Sequence, residues 1–227
     1  IGRAIHKGLQ DDPYWRPFFD GYPPVHRWLE QLRPDVAVVF YNDHGLNFFL
    51  DKMPTFAVGA APEYRNADEG WGIPTVPAFE GDPALSWHLI ESLVGEEFDL
   101  TTCQEMKVDH AFTLPMALLW PDQQWPVKVV PVCINTVQFP LPSAARCYKL
   151  GQAVGQAVGG GGIGVARAQL VGLGGGVALV HLVHRQPEAA VQLAGEALRP
   201  GGIVVRRAVG MDRHADDQRP IGLARRA

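Results

Sequence analysis

The stretch Asp35-Val36-Ala37-Val38-Val39-Phe40-Tyr41-Asn42-Asp43-His44 decides the reading of this chain. Its apolar, β-branched run reads as a buried strand that stops abruptly in polar residues. Open α/β sheets border their ligand crevices with the carboxyl ends of strands. A histidine carried there on a short Asn-Asp-His corner is placed to bind a metal, with Asn42 and Asp43 beside it to orient the ring. The bland alternative is a strand ending in an ordinary polar turn.

Working outward, elements alternate. Residues 24–32 read as a helix with Val25, Trp28, Leu29 and Leu32 on its apolar side, closed by Arg33-Pro34. Residues 55–58 read as a short strand, 83–94 as a helix, 112–120 as a further helix, 127–134 as a strand and 142–158 as a last helix. Such alternation predicts an α/β fold whose mainly parallel sheet is flanked by helices. The long Pro- and Gly-containing stretch 59–82 is expected to help wall a site.

Composition divides the 227 residues in two. Residues 1–157 read as one ordinary α/β domain. From Val158 onward there is no Trp, Phe, Tyr, Lys, Cys, Ser, Thr or Asn. An aberrant Gly/Ala/Val/Arg-rich tail of that kind lacks aromatic anchors and helix caps. Residues 158–227 are therefore expected to be a frameshifted or misjoined, poorly ordered segment. The competing expectation is a Gly-rich linker followed by a helical piece at 187–198. The net charge of −4 and the lack of a basic run argue against a nucleic-acid surface. No apolar stretch has membrane-spanning length. Three cysteines without framework or CxxC spacing fit reduced thiols of a cytoplasmic protein.

Of the eight histidines, two sit where chemistry is done. His44 ends a strand beside Asn42 and Asp43, and His110 follows Asp109 at an element boundary. Imidazole both ligates first-row metals and moves protons near neutral pH. His6, His26 and His88 read as surface or packing residues. The His181/His184 pair lies in a Val/Leu-rich stretch with no nearby Glu or Cys. The run Gly159-Gly160-Gly161-Gly162-Ile163-Gly164 formally fits G-x-G-x-x-G, but it follows a helix, so nucleotide binding is rejected. Asp68-Glu69-Gly70-Trp71-Gly72 reads as a structural turn with Trp71 packing inward.

These motifs, taken in order with Pro54-Thr55-Phe56-Ala57-Val58-Gly59, Trp125-Pro126-Val127-Lys128-Val129-Val130-Pro131 and Arg146-Cys147-Tyr148-Lys149-Leu150-Gly151, carry a family likeness. Over about residues 1–158 the chain resembles the class III (LigB-type) extradiol ring-cleavage dioxygenases, in particular catalytic β subunits of the protocatechuate 4,5-dioxygenase type. The resemblance implies a non-haem Fe(II) held by two histidines and a glutamate, with His44 one of those histidines. It makes Asn42 and Asp43 the shell around that corner and His110 a histidine that contacts substrate. The implied reaction opens protocatechuate with O₂ to 4-carboxy-2-hydroxymuconate semialdehyde, in aromatic catabolism. Gallate cleavage is the nearest alternative, and a catalytically dead homologue that binds a partner or an aromatic acid is another. A small α subunit, in an α₂β₂-type assembly, is the implied partner.

The likeness also sets expectations that this sequence departs from. The family's other iron histidine, in a Ser-His-x-Pro segment, is expected ahead of Ile1. Its Gly-Thr-Gly-Gly-x-Ser-His base segment and the later iron glutamate have no counterpart in the tail, and their roles are not carried onto His181, His184 or Glu196. With one ligand of three, the chain as written is expected neither to hold iron tightly nor to turn over.

Overall fold

The computed structural model describes residues 1–70, 73–160, 169–172 and 179–183. The amino-terminal helices are α1 (Gly2–His6), α2 (Arg16–Phe19) and α3 (Tyr22–Leu32). Arg33 then turns into the left-handed region at φ 44° and ends α3, because helical geometry is disfavoured before Pro34. Next come β1 (Val36–Tyr41), β2 (Phe56–Gly59), β3 (Glu63–Asn66), β4 (Phe79–Glu80), α4 (Pro83–Gly95), β5 (Thr101–Cys103) and β6 (Lys107–Val108). The chain continues through α5 (His110–Leu119), β7 (Lys128–Ile134), α6 (Ala144–Gly160), β8 (Gln169–Gly172) and β9 (Leu179–Val183).

Six strands form the main sheet in the order β5-β2-β7-β1-β9-β8, and a small second sheet runs β4-β3-β6. β1 is central and buried along its whole length, as its unbroken apolar run requires. Alternate residues serve opposite layers. Ala37, Val39 and Tyr41 join Leu29, Phe112, Met116 and Leu119 of α3 and α5. Val36, Val38 and Phe40 pack with Leu85, Leu89, Leu93, Leu150 and Val154 of α4 and α6. Two helix-to-helix ties reinforce the layers: His26 Nε2 meets the Leu118 carbonyl at 2.8 Å, and His88 Nε2 meets that of Ala157 at 3.0 Å. Both are packing histidines, as expected.

The α/β class and its flanking helices are as expected, but the sheet is mixed rather than mainly parallel. β1 pairs with β7, and β2 with β5, in parallel. The pairs β2–β7, β1–β9 and β8–β9 are antiparallel. Alternation of strand and helix in sequence sets neither strand order nor strand direction, both of which tertiary pairing decides. The carboxy-terminal stretch carries two strands that its composition did not suggest. β9 lies directly against β1, and its Leu182 and Val183 are fully buried. The expected helical piece at 187–198, His184, and Trp71 with its expected inward packing lie outside the described residues. No helix among the described residues is long and apolar enough to cross a membrane.

Burial leaves a chemical signature. It pushes Tyr22 and Tyr64 up to about 12 from 10.0, and Cys133 up to about 12 from 9.0. The folded protein thus keeps protons that the unfolded chain releases first. The stability this contributes is complete below pH 9 and is lost as pH rises towards 12. Urea midpoints are expected to fall steadily across that window. A midpoint that stays flat there contradicts the burial of these groups.

Candidate active site

The site is assembled where three loops meet at the start of α5. β3 and β6 pair in parallel, with Asn66 opposite Val108. Ala67 N–H donates to the Val108 carbonyl at 3.1 Å, and the Asn66 side chain donates to the same oxygen at 3.1 Å. That register carries the chain after β3 alongside the chain after β6, which delivers Glu69 to His110. The third loop leaves β1 at Tyr41. Its Asn47 acts as a side-chain rung against β6, donating to the Lys107 carbonyl at 2.9 Å and accepting the Lys107 N–H at 3.0 Å.

Asp109 caps α5 by accepting the Ala111 N–H at 2.9 Å, so the helix begins at His110, two residues earlier than its apolar pattern indicates. The other oxygen of the same carboxylate accepts the His44 backbone N–H at 2.9 Å and meets His44 Nδ1 at 3.0 Å. Asp109 is fully buried, whereas the His44 side chain is 37% exposed. A carboxylate can only accept, so the ring nitrogen facing it carries a proton, and in a neutral ring Nε2 is then the nitrogen with the free lone pair. The Asn42 amide nitrogen donates to that Nε2 at 2.9 Å.

His110 repeats the arrangement. Glu69 accepts its backbone N–H at 2.7 Å with one oxygen and faces Nδ1 at 2.7 Å with the other. The His44 and His110 rings stack with centroids 4.4 Å apart and planes 21° from parallel. Two imidazoles therefore lie face to face, each gripped at Nδ1 by a carboxylate and each with Nε2 left to act as an acceptor or ligand. Among the described residues, His44, Asp109 and His110 can each bring a ligand atom within 4.8 Å of the other two.

The expected site residues meet this geometry unequally. His44, Asn42 and His110 come together. Asp43 does not orient the ring. Its carboxylate instead accepts the N–H groups of Gly45, Leu46, Asn47 and Phe48 and the Asn47 amide, so it shapes the loop. Glu69, read as part of a structural turn, has both roles: Asp68 accepts the Gly70 N–H at 3.0 Å to make the turn, and Glu69 reaches His110. Asp109 was visible only as half of an Asp-His pair. The spacing of a capping Asp before an apolar helix was the available signal for it. No local signal marks Glu69, because its contact depends on strand register.

The residues fit one corner of a metal centre. His44 offers its Nε2 while its Nδ1–H is held by a carboxylate, the usual outer arrangement around ligating histidines. The Asn42 side-chain oxygen beside it is buried and has no hydrogen-bond partner among the described residues. Tyr41, one residue earlier, has its hydroxyl pushed well above its ordinary value by burial, then by Cys133, Asp109 and Asp43, so it stays a neutral phenol.

The profile of a family described as the catalytic LigB subunit of aromatic ring-opening dioxygenase matches residues 1–165. The chain belongs to the LigB family. A gallate dioxygenase of Pseudomonas putida is 44% identical over 93 residues, covering 40% of this chain and 27% of that protein. A 2,3-dihydroxyphenylpropionate/2,3-dihydroxicinnamic acid 1,2-dioxygenase of Photorhabdus laumondii is 37% identical over 129 residues, covering 56% and 39%. One from a Rhodococcus species is 30% identical over 201 residues, covering 88% and 60%. That last match is too long to end at residue 158, so it runs into the Gly-rich region. The LigB chain spans between about a quarter and three fifths of these relatives.

The division of labour between the two aspartates is testable. Asp43→Ala is expected to raise hydrogen exchange at the Gly45, Leu46, Asn47 and Phe48 amides and to cost about 1–2 kcal/mol in urea unfolding. Exchange at His44 N–H, held by Asp109, should be little changed. Loss of protection at His44 together with unchanged protection at 45–48 contradicts these roles.

Proposed function

We propose that this LigB-family protein is an extradiol ring-opening dioxygenase acting on a catecholic aromatic acid with O₂. The observation that carries the reading is the stacked His44–His110 pair, in which both Nδ1 atoms are taken up by carboxylates. One Nε2 can serve a metal while the other, a ring-stacking distance away, serves the hydroxyl of a molecule bound there. Asn42, His44, Glu69, Asp109 and His110 all lie within residues 1–157.

In this reading His44 Nε2 is a ligand of Fe(II), and Asp109 orients the ring from the far side. When bound, ferrous iron supplies the site at which dioxygen is activated and at which catecholic hydroxyls lose their protons more readily. Asn42 donates to His44 Nε2 without iron, and its unpartnered oxygen is an acceptor at the same corner. Asp43 acts at one remove, through the loop that follows His44. His110 holds a substrate hydroxyl. Gallate is the first substrate to consider, because the gallate dioxygenase of Pseudomonas putida is 44% identical over its matched stretch. 2,3-Dihydroxyphenylpropionate, named for the other relatives above, comes next, and protocatechuate shares the same catecholic acid chemistry. A small α subunit in an α₂β₂-type assembly belongs to this reading, supported by Phe49 and Leu50, which stand exposed on the loop after His44. The three free cysteines suit a cytoplasmic setting.

Ferrous titration of the chain is expected to give weak binding that vanishes in His44→Ala. Equal binding by the variant contradicts the assignment of His44. Oxygen uptake with a ring-opened product is expected on gallate, 2,3-dihydroxyphenylpropionate or protocatechuate once the coding DNA is read through on both sides and the remaining ligands are supplied. An intact frame without a Ser-His-x-Pro segment upstream, and no uptake on any of the three acids, would overturn the enzymatic reading in favour of a binding homologue.

A further inference from the structure

Glu69 makes two hydrogen bonds to a single residue. One oxygen takes the backbone N–H of His110 at 2.7 Å, and the other faces Nδ1 at 2.7 Å. The side chains of Glu69 and His110 are 13% and 31% exposed, so the pair is sheltered without being sealed. Charge-assisted bonds of this length are the strong ones. The turn that holds Glu69 is fixed independently by Asp68 and by Gly70 at φ +68°. The strand register described above fixes its distance from His110. The carboxylate is therefore placed by the fold and not by the imidazole.

We propose that Glu69 is a positioning residue that holds His110 in its Nδ1–H tautomer, so that Nε2 is presented as a hydrogen-bond acceptor to a catecholic hydroxyl. The substrate half of this statement rests on the dioxygenase reading above. The tautomer half stands on the geometry alone. Neutral imidazole in water favours neither use of Nε2 strongly enough to build a site on it, and the hydrogen bond at the other nitrogen decides. A catecholic hydroxyl is a donor. It needs an acceptor facing it, and a His110 ring protonated at Nε2 would present a second donor instead. Stacking against His44 fixes the ring plane, and Glu69 fixes which edge carries the proton.

Glu69→Gln separates this role from simple packing. The side chain keeps its size, but one acceptor oxygen becomes an NH₂ donor. Two donors, the backbone N–H and Nδ1–H, then compete for one oxygen. The backbone N–H cannot move its proton, whereas the ring can, so the ring is the partner that yields.

The test is ¹⁵N NMR of the histidine rings in the full chain without metal, about two pH units above the unperturbed histidine value of roughly 6.5. His110 is assigned by comparison with His110→Gln. Wild-type His110 is expected as the Nδ1–H tautomer with an unprotonated Nε2, and Glu69→Gln is expected to convert it to Nε2–H with the circular dichroism unchanged. An Nε2–H ring in the wild type overturns the proposal, and so does an Nδ1–H ring that persists in a folded Glu69→Gln. If the variant does not fold, the wild-type spectrum decides by itself. Because neither iron nor substrate is present, a chain that proves unable to cleave catechols leaves this result standing, and a failed tautomer leaves the dioxygenase reading to its own tests.

Discussion

The Asp109 carboxylate is the joint on which the site depends. It caps the helix that begins at His110, and it grips both the backbone and the ring of a histidine that lies 65 residues earlier. Full burial makes each of those bonds matter, since a carboxylate taken out of water is costly unless its oxygens are engaged. An asparagine there would trade one acceptor for a donor and meet the His44 N–H or the Ala111 N–H with the wrong sign. The anion at the amino end of α5 is also favoured by the helix dipole. Fold stability and ring orientation are thus secured by the same two oxygens.

The second carboxylate, Glu69, copies the arrangement from an unrelated position in the chain. It is brought in by the parallel pairing of two short strands, β3 and β6. The consequence is a pair of stacked imidazoles, each of which has its Nδ1 committed to a carboxylate. Such an arrangement suits a reaction in which a metal and an acidic hydroxyl must be held side by side.

Much of the fold could be read in advance, and for identifiable reasons. β1 and β7 are long enough and apolar enough that burial alone dictates them, and α4 is marked by Asp82 and Pro83 at its start. β3, β4 and β6 escaped notice because strands of two to four residues, with Glu63 and Arg65 facing water, have no periodicity to detect. Strand direction escaped for a different reason, being decided by tertiary pairing. At the site, His44 and His110 were legible from their placement at the ends of apolar runs. The role of Asp43 was misjudged because sequence adjacency to His44 suggested contact with its ring. In fact a side chain one position before a turn is best placed to accept the N–H groups of that turn. Glu69 needed the three-dimensional register and could not have been assigned without it.

A double-mutant cycle between His44 and Asp109 tests the central interaction most directly. His44→Ala, Asp109→Ala and the double variant are unfolded in urea, and the ring's share of the Asp109 network is read as the coupling energy. A favourable coupling of about 1–2 kcal/mol is expected for a bond between a buried carboxylate and a partly exposed imidazole. Losses that simply add, to within about 0.5 kcal/mol, would show that Asp109 does not hold the ring and would contradict the site as described.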